Sequence, residues 1–332
     1  MSELKKIADS FGRVHDYLRI SLTDRCNLRC TYCMPAEGIV LREKSEFMTS
    51  EEIIEIASTF VEMGVKKIRL TGGEPLIKKD IVNILTRLSQ LPIELTLTTN
   101  AVLVDKYIDT FKNIGIKSLN VSLDSLKPER MNAISRRVYF DRIMANINLL
   151  IDSEMDIKLN VVLMKGINDD EILDFIEYTK VNKVDVRFIE FMPFSGNGWD
   201  RSKMVSLQEI INVANEQFMS IQKLEEKANS TARNYRVNGY AGTFGVISTV
   251  TNPFCDSCNR IRLTADGKLK NCLFSADESD LLTQLRTGKD IIPVIQSAVA
   301  SKKEKLAGMD SFETEQGKEI FSRNRSMISI GG

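Results

Sequence analysis

The segment DRCNLRCTYCMP, residues 24–35, places Cys26, Cys30 and Cys33 on one short loop with C-x3-C-x2-C spacing. Three soft thiolates so close together suit zinc or an iron–sulfur cluster. Structural zinc takes four ligands, and no further Cys or His follows nearby. A [4Fe–4S] cubane takes one thiolate per iron, so three cysteines leave one iron open to a ligand from outside. The other cysteines form a second trio, Cys255, Cys258 and Cys272, spaced C-x2-C-x13-C, and none is left over. This trio also leaves a position open; a zinc knuckle short of one ligand is the alternative. Arg260 and Arg262 follow in CNRIRL and share one face of a strand. Two guanidiniums beside an open iron suit an anion held between cation and metal. The single histidine, His15, precedes the first strand-like run and reads as a surface or turn residue rather than a ligand.

The elements that must position these residues show in the hydrophobic periodicity. Strand-like runs occur at 17–22, 67–72, 93–100, 118–124, 157–163 and 184–191, with helical patterns between most of them. In TSEEIIEIASTFVEMG, Thr49 and Glu52 form a capping box, Ile53, Ile54, Ala57, Phe60 and Val61 an apolar stripe, and Gly64 a stop. Strands alternating with helices imply βα units and a parallel sheet. Six units over this length fit either a doubly wound sheet or an incomplete TIM-like barrel. Buried parallel strands usually read as continuous apolar runs. Here Arg19, Arg69, Thr98, Asn120 and Lys158 alternate with leucines, isoleucines and valines. One face of each strand is therefore polar, as in an open barrel whose lumen holds a ligand.

After about residue 193 the pattern changes. FSGNGWDRS reads as a loop, VSLQEIINVANEQF as a helix, and GTFGVISTV and NRIRLTADGKLKNC as strands. Asp266-Gly267 is a hairpin signal. The remainder reads as helical to about 308, followed by a loose tail, FSRNRSMISIGG. The stretch from about 275 to 325 carries no placeable motif.

The chain has 332 residues, 43% hydrophobic and 27% charged, enough for a large core. Lys+Arg and Asp+Glu balance at 45 each, which argues against a long-range field for nucleic acid or an anionic membrane. No run approaches the roughly 20 apolar residues of a membrane span, and no signal peptide is evident. A cytoplasmic protein is expected. In that compartment six cysteines read as metal-binding or catalytic rather than as disulfides.

C-x3-C-x2-C just after the first strand, with Tyr32 before the last cysteine and TGGEP after the second strand, resembles the radical S-adenosylmethionine (SAM) superfamily. Within it, IRLTGGEPL, LTTN, NVSLDSL, VVLMKGINDDEI, RFIEFMP, CDSCNRIRLTADGKLKNCLF and the terminal Gly331-Gly332 resemble the GTP 3′,8-cyclase family of molybdenum cofactor biosynthesis, in order along nearly the whole chain. One departure is Ala101 after TTN, where that family often has Gly; no loss of function is expected from it.

The resemblance implies an α/β fold. It would be an incomplete TIM-like (β/α)6 barrel, with a C-terminal α+β extension that covers the open side and carries a second iron–sulfur cluster. Residues 1–195 would be the radical SAM unit, and 196–332 the second-cluster unit with the Gly-Gly tail. It implies two [4Fe–4S] clusters, on Cys26, Cys30 and Cys33 and on Cys255, Cys258 and Cys272. Tyr32, Gly73, Ser122 and Met192 would bind SAM. Arg19, Arg69, Thr98, Lys158, Arg260 and Arg262 would bind GTP. Arg260, Arg262, Gly331 and Gly332 would assist catalysis, although a terminal Gly-Gly is otherwise just a frayed end. In that family a SAM-derived 5′-deoxyadenosyl radical takes the C3′ hydrogen of GTP, and C3′ then attacks guanine C8, giving 3′,8-cyclo-7,8-dihydro-GTP. The implied partners are GTP, SAM, an electron donor and, transiently, a downstream cyclic pyranopterin monophosphate synthase. No nucleic acid or membrane is expected, and the chain would be a monomer or homodimer. The absence of a G-x4-G-K-[ST] loop excludes phosphate binding of that kind. The alternatives are another radical SAM enzyme with an auxiliary cluster, such as a peptide-modifying maturase, and a non-enzymatic zinc or nucleic-acid module.

Overall fold

The six alternating runs form strands, and their apolar side chains are buried together. The computed structural model describes residues 6–35, 38–39, 42–226 and 228–331. Tyr17–Ser21 (β1), Lys67–Thr71 (β2), Glu94–Thr99 (β3), Ser118–Ser122 (β4), Asp156–Leu163 (β5) and Val184–Glu190 (β6) pair in parallel, in chain order. Parallel neighbours need crossovers. These are Ser50–Glu62 (α1), Ile81–Leu88 (α2), Ile108–Asn113 (α3), Pro128–Ser135 (α4) with Phe140–Asp152 (α5), and Ile172–Tyr178 (α6). Leu18, Ile20, Leu70, Leu97 and Leu119 are fully buried in the core they share with the helices.

The α1 capping box forms as expected: Thr49 Oγ1 accepts from the Glu52 amide at 3.2 Å, and the Glu52 carboxylate from the Thr49 amide at 2.7 Å. The buried face is Ile53, Ile56, Ala57 and Phe60. Ile54 and Val61, expected on that stripe, are only half-buried, because the 3.6-residue period puts them at its margin. Ala101 has a left-handed backbone, φ 62°, which accounts for the frequency of glycine at this position in the resembling family.

The C-terminal part continues the same sheet at both edges. Its strands are Ile221–Lys223 (β7), Arg233–Val237 (β8), Thr243–Ile247 (β9), Arg260–Leu263 (β10), Lys268–Lys270 (β11) and Ser279–Asp280 (β12). β9 pairs in parallel with β6, and β10 in parallel with β1. The sheet has twelve strands in the order β12-β11-β10-β1-β2-β3-β4-β5-β6-β9-β8-β7. β10 and β11 form the hairpin expected at Asp266-Gly267. Gly267 has φ 69°, and a Cβ there would lie 2.4 Å from Leu282 Cβ, so the turn admits only glycine. β7 and β8 carry no clear alternation and were not legible in the sequence. Helices Leu207–Gln217 (α7), Leu281–Arg286 (α8), Ile292–Ala300 (α9) and Glu315–Ser322 (α10) complete the fold. Among the described residues no helix is long and apolar enough to cross a membrane.

Two expectations need correction. The C-terminal tail is not loose. After α10 it makes a 3₁₀ turn, Met327–Ile330, and buries Ile328 and Ile330. Ile330 joins a second apolar cluster with Phe194, Phe274, Leu306, Met309 and Phe312, which anchors the tail. His15 is not a surface residue. The N-terminal segment folds back through an Ala8–Val14 bridge, and buried His15 places Nε2 3.0 Å from Asp9 Oδ2. Burial, with the Lys302 charge adding, lowers its pKa to about 4.

Candidate functional site

The polar faces of the strands line one cavity of about 800 Å³, a size suited to small-molecule and cofactor binding. Register brings the arginines side by side. Arg19 on β1 lies opposite Arg69 on β2 and Arg262 on β10. Arg19, half-buried, is held well below the usual arginine range by desolvation and then by Arg262 and Arg69. Arg262 is brought to about 10 by burial and Arg260. Three adjacent guanidiniums in a row repel one another unless an anion lies over them. Thr98, Asn120 and Lys158 are level with one another on β3, β4 and β5, one same-face position further along than Thr96, which pairs with Arg69. Lys158 donates to Ser118 Oγ at 2.7 Å and is lowered to about 8 by burial and Arg187.

Several buried polar atoms on this lining have no protein partner: Arg69 Nη1, Thr98 Oγ1, Asn120 Oδ1, Asn160 Oδ1 and Arg260 Nη2. Buried polar groups are normally satisfied, so orphans converging on one cavity mark the place of a polar ligand.

The first cysteine loop leaves β1 and docks on α4. The Arg29 amide donates to Ser135 O at 2.9 Å and the Thr31 amide to Ile134 O at 3.0 Å. The turn before it runs against the TGGEP loop: the Gly73 amide donates to Thr23 O at 2.6 Å and the Glu74 amide to Arg25 O at 2.9 Å. A Cβ on Gly73 would sit 2.2 Å from Arg25 O, which is why glycine is required. Burial and the Glu74 charge raise the Cys26 thiol to about 11. Burial, Cys26 and Asp124 raise Cys33 to about 12, and burial with Asp124 lifts Cys30 well above the usual thiol range. Tyr32 donates its hydroxyl to Asp124 Oδ2 at 2.8 Å.

The second trio opens on the same cavity from the β9–β10 connection and the end of β11. Here burial would raise the Cys258 thiol, but the Arg260 and Lys302 charges outweigh it and bring it to about 7. Arg260 also lies over the Phe254 ring, 4.7 Å from its centroid. Among the described residues no three His, Cys, Asp or Glu side chains converge on a position for a single ion. A cubane binds each thiolate through a different iron, so its ligands need not converge. Both donor sets, soft and half-buried, fit such a cluster.

All six cysteines, Arg19, Arg69, Thr98, Lys158, Arg260, Arg262, Tyr32, Gly73, Ser122 and Met192 line this one cavity. Gly331 lies beside it: its carbonyl accepts from Arg262 Nη1 at 3.0 Å, and a Cβ would meet Thr71 Oγ1 at 2.5 Å. Gly332 lies outside the described residues. Asp124, Asn160 and Arg187 line the cavity on the polar strand faces that the alternation predicts, with no role assigned to them, whereas Glu74 and Lys270 are lining residues the sequence reading missed. Glu74, Asp124, Asn160 and Arg187 follow the polar parity of the strands or close their ends. Lys270 gave no such signal.

Residues 20–179 match the radical SAM superfamily, and residues 184–307 match the family described as Molybdenum Cofactor Synthesis C. The chain is 44% identical over 333 residues to the Arabidopsis thaliana protein named GTP 3′,8-cyclase, mitochondrial, covering 98% of this chain and 83% of that one. It is 40% identical over 337 residues to the GTP 3′,8-cyclase of Listeria monocytogenes serotype 4b, covering 99% of this chain and all of that one. Molybdenum cofactor biosynthesis protein 1 of Bos taurus is 44% identical, and the chain spans about half of its length, 51%. Among solved structures, Streptococcus suis SuiB bound to S-adenosylmethionine superposes with a TM-score of 0.60 at 16% identity, over 95% of this chain and 70% of that one. That likeness is one of fold. Identity of this extent over full-length relatives, together with the two family matches, decides kinship: the chain belongs to the GTP 3′,8-cyclase family of the radical SAM superfamily.

Proposed function

We propose that this chain converts GTP to 3′,8-cyclo-7,8-dihydro-GTP, the first step of molybdenum cofactor biosynthesis, with SAM and two [4Fe–4S] clusters as cofactors. The observation that carries this reading is the row Arg69–Arg19–Arg262 on one wall of a cavity into which both cysteine trios open. A triphosphate supplies the negative charge that row requires. The strands would form an incomplete (β/α)6 barrel, with the C-terminal part covering its open side. The family matches change over between residues 179 and 184, which supports a division near residue 195.

Cys26, Cys30 and Cys33 would hold the first cluster, and Cys255, Cys258 and Cys272 the second. When bound, the first cluster and SAM supply a radical able to take a hydrogen from ribose C3′. The protein's part is to bind, orient and exclude water. Tyr32, Gly73, Ser122 and Met192 surround the SAM position. Arg19, Arg69 and Lys158 hold the phosphates, and Thr98 offers its orphan hydroxyl. Arg260 and Arg262 keep the nucleotide between β10 and the second trio. Gly331, hydrogen-bonded to Arg262, fixes that guanidinium and fills the space beside Thr71; with Gly332 it completes the wall around the reacting carbons. An external electron donor and a downstream cyclic pyranopterin monophosphate synthase would complete its partners.

The test is anaerobic reconstitution with iron and sulfide, then SAM, reductant and GTP, with products read by mass spectrometry. The expected products are 5′-deoxyadenosine and a cyclised nucleotide isomeric with GTP. SAM cleavage without a cyclised nucleotide would remove the assignment to GTP and leave radical SAM chemistry standing.

A further inference from the structure

Residues 275–325 carry no motif, yet the end of α9 and the loop after it reach all three cysteine positions of the second trio. The Leu306 amide hydrogen-bonds Cys255. Arg13 donates to Cys255 O at 2.9 Å and to Lys303 O at 2.9 Å, fastening that loop to the N-terminal segment. Asn271, next to Cys272, donates to Ala298 O at 2.7 Å and to Ser301 Oγ at 3.2 Å. Lys302 donates to Cys258 Sγ at 3.4 Å and to Arg260 O at 3.1 Å.

Lys302 is the unusual member. Its side chain is 5% exposed, and its two hydrogen-bond partners are a carbonyl and a sulfur. No carboxylate pairs with it among the described residues. A buried ammonium is costly unless an anion faces it. The neighbouring Arg13 already has the Asp9 carboxylate, at 2.6 Å, so that carboxylate is committed elsewhere. The anion that faces Lys302 is the cysteine-ligated centre itself.

We infer that Lys302 is a positioning and tuning residue for the second cluster: its ammonium, held by the α9 end against Cys258 Sγ, raises that cluster's reduction potential. A positive charge and an N–H donor at a ligating sulfur both favour the form carrying the extra electron. The inference rests on the two-cluster reading above.

The experiment uses the full chain with Cys26, Cys30 and Cys33 replaced by Ala, so that iron sits only on the second trio. Lys302→Met and Lys302→Arg are made in that background, reconstituted anaerobically, assayed for iron and titrated against mediator dyes by electron paramagnetic resonance. Lys302→Met is expected to lower the reduced-to-oxidised ratio at fixed potential on the order of tenfold, about 59 mV for a one-electron couple. Lys302→Arg is expected to stay near the parent. Loss of iron in Lys302→Met with retention in Lys302→Arg supports the same role for the charge. An unchanged potential in an iron-loaded Lys302→Met, or equal loss of iron or of potential in both variants, overturns it. A parent background that binds no iron overturns the two-cluster reading itself, and the inference with it.

Discussion

The two cysteine loops have the same ligand count and opposite surroundings. The first is held mainly by backbone amides against α4 and by Asn100, which donates to Asn27 Oδ1 at 2.7 Å and lies 3.7 Å from Cys26 Sγ, with Arg136 donating to Met34 O just past it at 3.2 Å. The charges that act on it, Glu74 and Asp124, are negative and push its thiols up. The second is held by long side chains from far along the chain, Arg13 and Lys302, and the cations around Cys258 pull its thiol down. Negative surroundings make a cluster a stronger reductant and positive ones a weaker reductant. Reductive cleavage of SAM needs the stronger, whereas a centre that only holds an anionic substrate does not. On the proposed two-cluster reading, one scaffold would give two similar motifs different tasks by choice of neighbours.

The strongest way to break this comparison is to remove each trio in turn. Replacing Cys26, Cys30 and Cys33 by Ala should cut iron from about eight to about four atoms per chain and abolish 5′-deoxyadenosine formation. Replacing Cys255, Cys258 and Cys272 should cost the same iron, keep SAM cleavage and lose the cyclised nucleotide. Chromatography of both products with an iron assay decides it, and a second-trio variant that still cyclises GTP would end the distinction. Next in size is Gly331→Ala, in which the new methyl meets Thr71 and the backbone resists φ 74°. Cyclisation should fall on the order of a hundredfold while iron content and SAM cleavage persist; deletion of Gly331 and Gly332 should act likewise. A fully active variant would show that the tail serves neither loop.

The smallest effect measures how much charge holds the scaffold around these loops. Asp266, at the turn between β10 and β11, accepts two hydrogen bonds from Arg325, at 2.8 and 3.0 Å, and pairs with Arg42. Burial would raise its pKa, but the Arg325 and Thr264 hydrogen bonds and the two arginine charges outweigh it and hold it at about 2. A carboxylate depressed in the folded state contributes stability that is present above its unfolded value, near 3.8, and is lost as pH falls toward 2. Asp266→Asn should therefore cost roughly 2 kcal/mol at neutral pH and progressively less below pH 3.8. Urea unfolding across that range measures it, and a cost independent of pH would mean that charge does not hold this region.

The six parallel strands and the polar face of each were legible because alternation fixes which face of a strand looks inward. Once Arg19, Arg69 and Lys158 share a parity, they must share a wall. The glycines of TGGEP and the Asp266-Gly267 turn were legible for local steric reasons. Lys302, Arg13 and buried His15 were not. Their partners lie across the fold or in the other terminal third, and a single polar residue in a helix end or an N-terminal arm has no period to betray it. The tail was misjudged for a similar reason: its serines, arginines and asparagine read as solvated, but Arg325 and Asn324 are consumed by Asp266, Glu278 and Lys270.

The pairing of β10 with β1 also sets a timetable. β1 is among the first strands made, yet one of its edges waits for residues 260–263. At ribosomal speeds of about 5–20 residues per second, that interval is on the order of ten to fifty seconds. During it the first cysteine loop and the β1 edge are open to the cell, and an open edge invites wrong partners. If Cys26, Cys30 and Cys33 hold a cluster as proposed, the same interval would leave their loop open to iron and sulfide before the last third of the chain covers that edge.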